Sequence, residues 1–204
     1  MKIYLLRHGR TLWNEAGRLQ GRTDIPLSED GRAAARAAGR ALSDIAFDAA
    51  FSSPLRRARE TAELILAGRG VAVQTDARLV ELSFGAAEGM ALEALPTEQR
   101  PTWRLFSDPA SYVPPDGGES YASLTARCRA FLDEALLPQE KNWENVLVVA
   151  HGGVVRGLFS AMFGAASGEI YGSRVQKNCA VNVIECRGGV FAALHVARDY
   201  CATV

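Results

Sequence analysis

Two short apolar runs in this chain end in the same way, at a histidine that is followed by glycine. The first run covers residues 2–7 and stops at His8, and the second covers residues 146–150 and stops at His151. A short apolar run that is bounded by a polar loop is typical of a buried strand in a parallel sheet. Both histidines are therefore expected in loops that follow buried strands.

Helical patterns alternate with these strands. Apolar residues recur near the helical period in four segments, at about 29–44, 54–67, 119–137 and 153–163, and a weaker strand covers 49–51. Strands that alternate with helices form a parallel sheet covered on both faces. Residues 178–186 and 190–197 predict a hairpin that adds antiparallel strands. We predict an α/β fold, a three-layer α/β/α sandwich whose sheet is mostly parallel with an antiparallel edge.

Length and proline distribution favour one domain with an insertion. The chain has 204 residues, 48% of them hydrophobic, which suffices for a sizeable core. Five of the eight prolines fall between residues 96 and 115, where periodicity is poor. Because a segment of about thirty residues cannot bury a core of its own, we predict a single domain over residues 1–204 with a cap-like insertion at about 84–118.

The charge balance argues against polyanionic partners. Lys and Arg together number 23, as do Asp and Glu, so the formal net charge is zero and no long-range field attracts nucleic acid or an anionic membrane. Arg7 interrupts the first apolar run, which is far too short for a signal peptide or a membrane span. We expect a soluble, cytoplasmic protein. Its oligomeric state is open, with a homodimer as one option.

Arginines accompany the two histidines. Ligands of open α/β sheets bind outside the carboxyl ends of the strands, so His8 and His151 are expected to face one pocket. Arg7 precedes His8, and the helix that begins near residue 54 carries arginines in its first turns, where the helix dipole is positive. Imidazoles, guanidinium groups and a helix N-terminus bind small anions, and phosphate fits the arginine fork best.

A metal site competes with this interpretation. Neither histidine has further ligands at the short spacing that zinc and iron sites use. The cysteines form no C-x-x-C pair and are expected to be buried and reduced; they are Cys128, Cys179, Cys186 and Cys201. We expect no metal ion and no cofactor. Two alternatives from other classes remain, a serine hydrolase built on Ser120 with His151 and an inactive anion-binding module.

Five motifs occur in order along the chain. They are Arg7-His8-Gly9-Arg10-Thr11 with Trp13-Asn14, Gly17-Arg18-Leu19-Gln20-Gly21, Asp24-Ile25-Pro26-Leu27, Ser52-Ser53-Pro54-Leu55 with Arg57-Ala58 and Thr61-Ala62, and His151-Gly152-Gly153. Together they resemble the histidine phosphatase superfamily, in its phosphoglycerate mutase-like branch with short phosphatases of the α-ribazole phosphatase or broad-specificity type. The resemblance covers residues from about 5 to 183.

The resemblance implies roles for the matching residues. His8 attacks phosphorus in line and becomes a phosphohistidine, and its other ring nitrogen is predicted to bond a backbone carbonyl. Arg7, Arg57 and His151 bind the phosphoryl oxygens. Glu81 protonates the leaving alkoxide and then deprotonates the hydrolytic water. The predicted substrate-binding residues are Asn14, Gln20, Gly21 and Gly152.

The implied activity is that of a phosphomonoesterase acting on small phosphorylated metabolites. The alternative is a phosphoglycerate mutase, which returns the phosphoryl group to another hydroxyl and depends on cap closure against water. The mutases typically have Ser where this chain has Thr11, and they are usually longer, which favours the phosphatase. Four residues are expected to influence the choice of alcohol without identifying it: Gln20, Gln99, Arg104 and Tyr112.

Overall fold

A mixed β-sheet forms the centre of the computed structural model, which describes residues 1–94, 100 and 102–200. Six strands lie in these ranges: β1 Lys2–Arg7, β2 Ala49–Ser52, β3 Val73–Thr75, β4 Asn145–Ala150, β5 Val181–Arg187 and β6 Val190–Arg198. Their order across the sheet is β3-β2-β4-β1-β5-β6. Strands β1 to β4 pair in parallel, whereas β5 is antiparallel to both β1 and β6.

The two strands that precede the histidines are direct neighbours. Arg7 at the end of β1 lies opposite Ala150 at the end of β4. The amide of His8 then donates a hydrogen bond to the Ala150 carbonyl, at 2.9 Å. Both strands have buried interiors, as their continuous apolar sequences require. Their loops therefore start side by side at one edge of the sheet.

Helices cover both faces of the sheet. The described α-helices are α1 Leu12–Glu15, α2 Glu29–Ala41, α3 Arg56–Ile65, α4 Trp103–Ser107, α5 Tyr121–Phe131, α6 Gly152–Phe163 and α7 Ser167–Tyr171. Short 3₁₀ turns lie at Ala77–Leu79, Gly85–Ala87, Leu92–Ala94, Pro109–Ser111, Leu137–Gln139 and Gly164–Ala166. After α5 the chain continues as a π-helical turn, Leu132–Leu136. Pro138 lacks the amide hydrogen that a regular α-helix would need there.

The sheet divides the buried apolar residues into two clusters. Ile3 and Leu5 of β1 belong to one cluster, together with residues of α5 and α6. Tyr4 and Leu6 belong to the other, together with residues of α2 and α3. Alternate side chains of a strand point to opposite faces, so β1 supplies both clusters. The predicted three-layer α/β/α sandwich is confirmed.

The C-terminal hairpin is confirmed with shifted boundaries. β5 begins at Val181 and not at residue 178, because Cys179 adopts a left-handed conformation with φ of 57° that ends extended pairing before the strand. β3 was not predicted, since its three residues are partly exposed and carry no apolar run. Cys128, Cys179 and Cys186 are buried free thiols. Cys201 lies outside the described residues.

The segment 84–118 begins and ends at one place in the fold. Phe84 and Gly118 form an antiparallel bridge, and the amide of Glu119 donates to the Ser83 carbonyl at 2.8 Å. Residues 95–99, including Gln99, and residue 101 lie outside the described part of the chain. The assignment of one domain with a cap-like insertion stays a prediction. Among the described helices, none is long and apolar enough to cross a membrane.

Candidate active site

A cavity of about 160 Å³ lies where the parallel strands end. Eight of the nine predicted site residues line it: Arg7, His8, Asn14, Gln20, Gly21, Arg57, Glu81 and Gly152. The ninth, His151, is fully buried beside it, with its ring centroid 5.1 Å from that of His8. Residues from widely separated parts of the sequence therefore meet at one place, where open α/β sheets bind ligands.

His8 is held in a single orientation. Its Nδ1 lies 2.7 Å from the Gly9 carbonyl oxygen, the backbone contact that the sequence predicts. A proton on Nδ1 donates to this oxygen, which leaves Nε2 with a free lone pair. The amide of Gly9 donates to Thr61 Oγ1 at 3.0 Å, and Asn178 donates to the His8 carbonyl at 2.9 Å. The backbone on both sides of the imidazole is thus fixed.

Both buried imidazoles favour the neutral form. Burial holds the pKa of His8 well below the usual histidine value, and the positive charges of Arg57 and Arg7 lower it further. Burial also lowers the pKa of His151, again with help from Arg57. Because protonation would place another positive charge in this site, His8 is an uncharged nitrogen base at neutral pH.

The lowered pKa predicts that His8 stays neutral in mild acid. An unperturbed histidine with a pKa near 6.5 is about 90% protonated at pH 5.5. We expect the ring resonances of His8, assigned by their loss in His8→Ala, to keep neutral-imidazole shifts from pH 8 to pH 5.5. Unchanged backbone amide spectra would control for acid unfolding. A titration of His8 with a midpoint near 6.5 would contradict the electrostatic description of the site.

Two arginines supply positive charge to the cavity. Arg57, in the first turn of α3, donates from Nη1 to the Thr23 carbonyl at 2.8 Å and from Nη2 to the Gly21 carbonyl at 2.7 Å. Arg7 Nη1 donates to the Gln176 carbonyl at 2.6 Å. Burial lowers the pKa of Arg57 to about 10, so this guanidinium keeps its charge at neutral pH.

Several buried polar atoms at the site have no hydrogen-bond partner among the described residues. They include the Nε atoms of Arg7 and Arg57 and both ring nitrogens of His151. Leaving buried donors unpaired costs about 1–3 kcal/mol each, more for charged groups. An anion with several oxygen atoms would offer acceptors to these groups, so the arrangement favours phosphate-like ligands.

Glu88 fixes the loop whose carbonyls hold Arg57. Its Oε1 accepts from the amide of Arg22 at 2.9 Å, and its Oε2 accepts from the amide and hydroxyl of Thr23 at 3.0 and 2.7 Å. Gly21 has φ of +53°, and a Cβ there would lie 2.1 Å from Glu88 Oε1. Only glycine allows this close approach, which explains the residue type at position 21.

Replacing Glu88 by glutamine is expected to weaken phosphate binding about tenfold. The amide NH₂ would face backbone donors in place of one carboxylate oxygen, which frees the loop and displaces Arg57. Calorimetric titration with inorganic phosphate measures the effect. Glu63→Gln is the matched control, because Glu63 forms only an exposed pair with Arg59, at 3.7 Å. Unchanged phosphate affinity in Glu88→Gln would contradict this role.

Glu81 contacts the start of α6. Its Oε1 accepts from the amides of Leu82 at 2.8 Å and Val154 at 3.3 Å, and its Oε2 accepts from the amide of Gly153 at 3.2 Å. A Cβ on residue 153 would lie 2.7 Å from Oε1, so glycine permits this approach. Glu81 is nearly buried yet lines the cavity. It is therefore placed to exchange a proton with a ligand there.

Thr11 organises the polar rim. Its Oγ1 accepts from the amide of Asn14 at 3.1 Å, which caps α1, and donates to Gln20 Oε1 at 3.0 Å. Asn178, which donates to the His8 carbonyl, was missed because the strand was predicted to begin there. A polar residue immediately before an apolar run was the available signal. Neither Arg104 nor Tyr112 lines the cavity.

The serine hydrolase alternative is wrong. Ser120 is the N-cap of α5, and its Oγ accepts from the amide of Ser123 at 3.1 Å. No strand precedes it within residues 102–119, and it does not line the cavity. A strained strand-to-helix turn, which a serine nucleophile of that type requires, is thus lacking. Among the described residues, no group of three or more His, Cys, Asp and Glu side chains could hold a metal ion.

Comparisons with known proteins agree with this geometry. A sequence model described as the histidine phosphatase superfamily (branch 1) matches residues 3–199. The chain is 33% identical over 186 residues to a probable phosphoglycerate mutase GpmB of Erwinia tasmaniensis, covering 91% of this chain and 85% of that protein. It is 31% identical over 199 residues to the adenosylcobalamin/alpha-ribazole phosphatase of Salmonella typhimurium, covering 98% and 96%.

A solved structure shows the same likeness in three dimensions. The mycobacterial glucosyl-3-phosphoglycerate phosphatase, solved in complex with VO3, superposes with a TM-score of 0.82 at 29% identity, covering 95% of this chain and 97% of that one. The sequence match over nearly all described residues and the shared fold lead to one conclusion. The chain belongs to branch 1 of the histidine phosphatase superfamily.

Proposed function

We propose that the protein is a phosphomonoesterase that hydrolyses small phosphorylated metabolites through a phosphohistidine on His8. The observation that carries this proposal is the His8 imidazole, fixed by Gly9 with a free Nε2 in a cavity that Arg7, Arg57 and Glu81 also line. A fixed neutral nitrogen base beside two guanidinium groups suits attack on a phosphate ester.

In the first step, His8 Nε2 attacks phosphorus in line with the ester oxygen. The N–P bond forms as the P–O bond to the alcohol breaks, and the alcohol leaves with a proton from Glu81. The Gly9 carbonyl stabilises the positive charge that develops on the ring, through the proton on Nδ1. Arg7, Arg57 and His151 would donate hydrogen bonds to the phosphoryl oxygens, where negative charge is greatest.

In the second step, water attacks the phosphohistidine. Glu81, now a carboxylate, takes the proton from this water, and the N–P bond breaks to release inorganic phosphate and neutral His8. Three backbone amides hold the Glu81 carboxylate for this role. Hydrolysis of phosphate monoesters requires up to about 10²¹-fold acceleration, and acid–base catalysis supplies only about 10²- to 10⁴-fold. Covalent catalysis and several charged donors are therefore both needed.

A phosphoglycerate mutase is the second candidate. The observation that favours it is the 33% identity to a protein named as a probable mutase. The same phosphohistidine would then pass its phosphoryl group to a hydroxyl of phosphoglycerate instead of to water. The names of other relatives, phosphoserine phosphatase and alpha-ribazole phosphatase, favour hydrolysis.

The assay that tests the proposal follows both products. With p-nitrophenyl phosphate in excess EDTA, we expect nitrophenol and inorganic phosphate in equal amounts, because no step uses a metal ion. With 3-phosphoglycerate, turnover is expected to give glycerate and inorganic phosphate in equal amounts. Conversion to 2-phosphoglycerate faster than phosphate release would favour the mutase, and loss of nitrophenol release in EDTA would contradict the metal-free mechanism.

A further inference from the structure

The outer wall of the cavity is apolar. Apart from Gly153 and the eight predicted site residues, five apolar side chains line it: Leu19, Phe84, Leu92, Phe106 and Val175. Two polar residues, Arg18 and Thr102, complete this outer part within the described chain. Arg18 is solvent-exposed, and its Nη1 already donates to the Gly89 carbonyl at 2.8 Å. The wall therefore has no buried cation to pair with a carboxylate among the described residues.

Phe106 is held firmly in this wall. Its ring stacks on Tyr171, with a centroid distance of 6.5 Å and an interplanar angle of 13°. The Tyr171 ring in turn packs under the guanidinium of Arg156, at 5.1 Å, and is nearly buried. Stacked aromatic pairs and cation–π contacts each favour one geometry. Phe106 thus lines the cavity while its ring stacks on a nearly buried aromatic residue.

The size of the cavity determines which part of a substrate meets this wall. Its volume of about 160 Å³ is below the 300–1,000 Å³ typical of pockets for drug-sized ligands. This volume suffices for a phosphoryl group and the first atoms of an alcohol. Val175, at the outer side, is 44% exposed, so the remainder of a larger alcohol extends toward solvent. The atoms nearest the ester oxygen therefore contact apolar side chains.

We infer that the substrate is a phosphomonoester whose alcohol carries an apolar body, such as a ring, close to the ester oxygen. This inference rests on the proposed phosphatase function. A ring packed against Phe106 and Phe84 loses water from both surfaces, which is favourable. A carboxylate in the same position, as in a phosphoglycerate, loses its hydration and gains only an exposed ion pair with Arg18, which is worth little. Phe106 is then a specificity-determining residue.

Three primary alkyl esters with leaving groups of similar reactivity test this inference. They are 2-phenylethyl phosphate, glycerol 1-phosphate and 3-phosphoglycerate, compared by kcat/KM in one buffer. We expect the value for 2-phenylethyl phosphate to exceed that for 3-phosphoglycerate at least about tenfold, which is within the range of discrimination by apolar pockets. Equal or higher values for 3-phosphoglycerate overturn the inference while the phosphatase function stands. If p-nitrophenyl phosphate is hydrolysed but none of these three esters is, the inference is overturned; if none of the four is hydrolysed, the phosphatase function itself is contradicted.

Variants of Phe106 test whether the apolar wall causes the preference for 2-phenylethyl phosphate. Phe106→Ala is expected to lower kcat/KM for 2-phenylethyl phosphate about tenfold and that for glycerol 1-phosphate less than about twofold, with Phe106→Leu in between. The ratio of the two substrates cancels any loss of folded protein. Phe191→Ala is the control, since Phe191 is also partly buried against the same core but lies on β6 away from the cavity. An equal loss for both substrates in Phe106→Ala overturns the assignment.

Discussion

Replacing His8 by alanine is expected to lower kcat for p-nitrophenyl phosphate by at least about 10⁴-fold. Removal of the nucleophile from an enzyme that forms a covalent intermediate leaves only binding and electrostatic catalysis. The fixed Nδ1 contact and the lowered pKa of His8 indicate that this ring is built to attack as a neutral base. His151 is fully buried beside the cavity and is proposed to bind the phosphoryl oxygens, so it is not expected to replace His8 as the nucleophile.

A matched histidine variant controls this experiment. His195 lies exposed on β6, paired with Val183 and away from the cavity, so His195→Ala is expected to keep wild-type kcat within about twofold. Binding of inorganic phosphate to His8→Ala would show that Arg7 and Arg57 are still in place. More than about 1% residual activity in a folded His8→Ala protein would contradict the nucleophile assignment.

Replacing Glu81 by glutamine is expected to produce a loss that depends on the leaving group. For an alkyl ester such as glycerol 1-phosphate, kcat/KM should fall about 10³-fold, because the alkoxide needs a proton to leave. For p-nitrophenyl phosphate, kcat/KM should fall less than about tenfold, since nitrophenolate leaves without one. The value of kcat should fall for both esters, because Glu81→Gln removes the base that deprotonates the water attacking the phosphohistidine.

Rapid mixing separates these effects. Glu81→Gln is expected to release a burst of about one nitrophenol per protein, followed by slow turnover as the phosphohistidine accumulates. The Glu63→Gln control removes a carboxylate from the exposed pair on α3 and should behave as wild type. Equal losses of kcat/KM for both esters would show that Glu81 acts through folding or binding and not as the acid.

Local sequence patterns were sufficient to predict the central strands of the sheet and the helices that cover it. β1 and β4 are buried on both faces, so each appears as an uninterrupted apolar run with a polar end. The helices that cover the sheet were found by their period, with ends that shifted by a few residues. Strand β3 was not predicted, because its three partly exposed residues show no apolar run or alternation. Helix ends and short edge strands depend on tertiary contacts that a sequence window does not contain.

The sequence predicted the residues of the candidate site better than the residues that hold them in place or complete the cavity. His8, Arg57 and Glu81 belong to motifs that stand out along the chain, and the structure brings them to one cavity. The role of Glu88 arises from contacts with a loop more than sixty positions earlier, at 2.7 to 3.0 Å. Phe106 and Val175 reach the cavity from segments without periodic patterns. Such long-range packing is set by the fold and is not visible in local spacing.

Trapping the covalent intermediate tests the central claim most directly. Wild-type protein is mixed with p-nitrophenyl phosphate, quenched in alkali during turnover to preserve phosphohistidine, digested and sequenced by mass spectrometry. We predict one added phosphoryl group at His8, on the peptide that contains residues 7–9, in the wild type and equally in His195→Ala, which keeps its turnover. A phosphoryl group on another residue would contradict the account. Unmodified His8 would also contradict it, if the sample shows a nitrophenol burst and rapid turnover at saturating substrate.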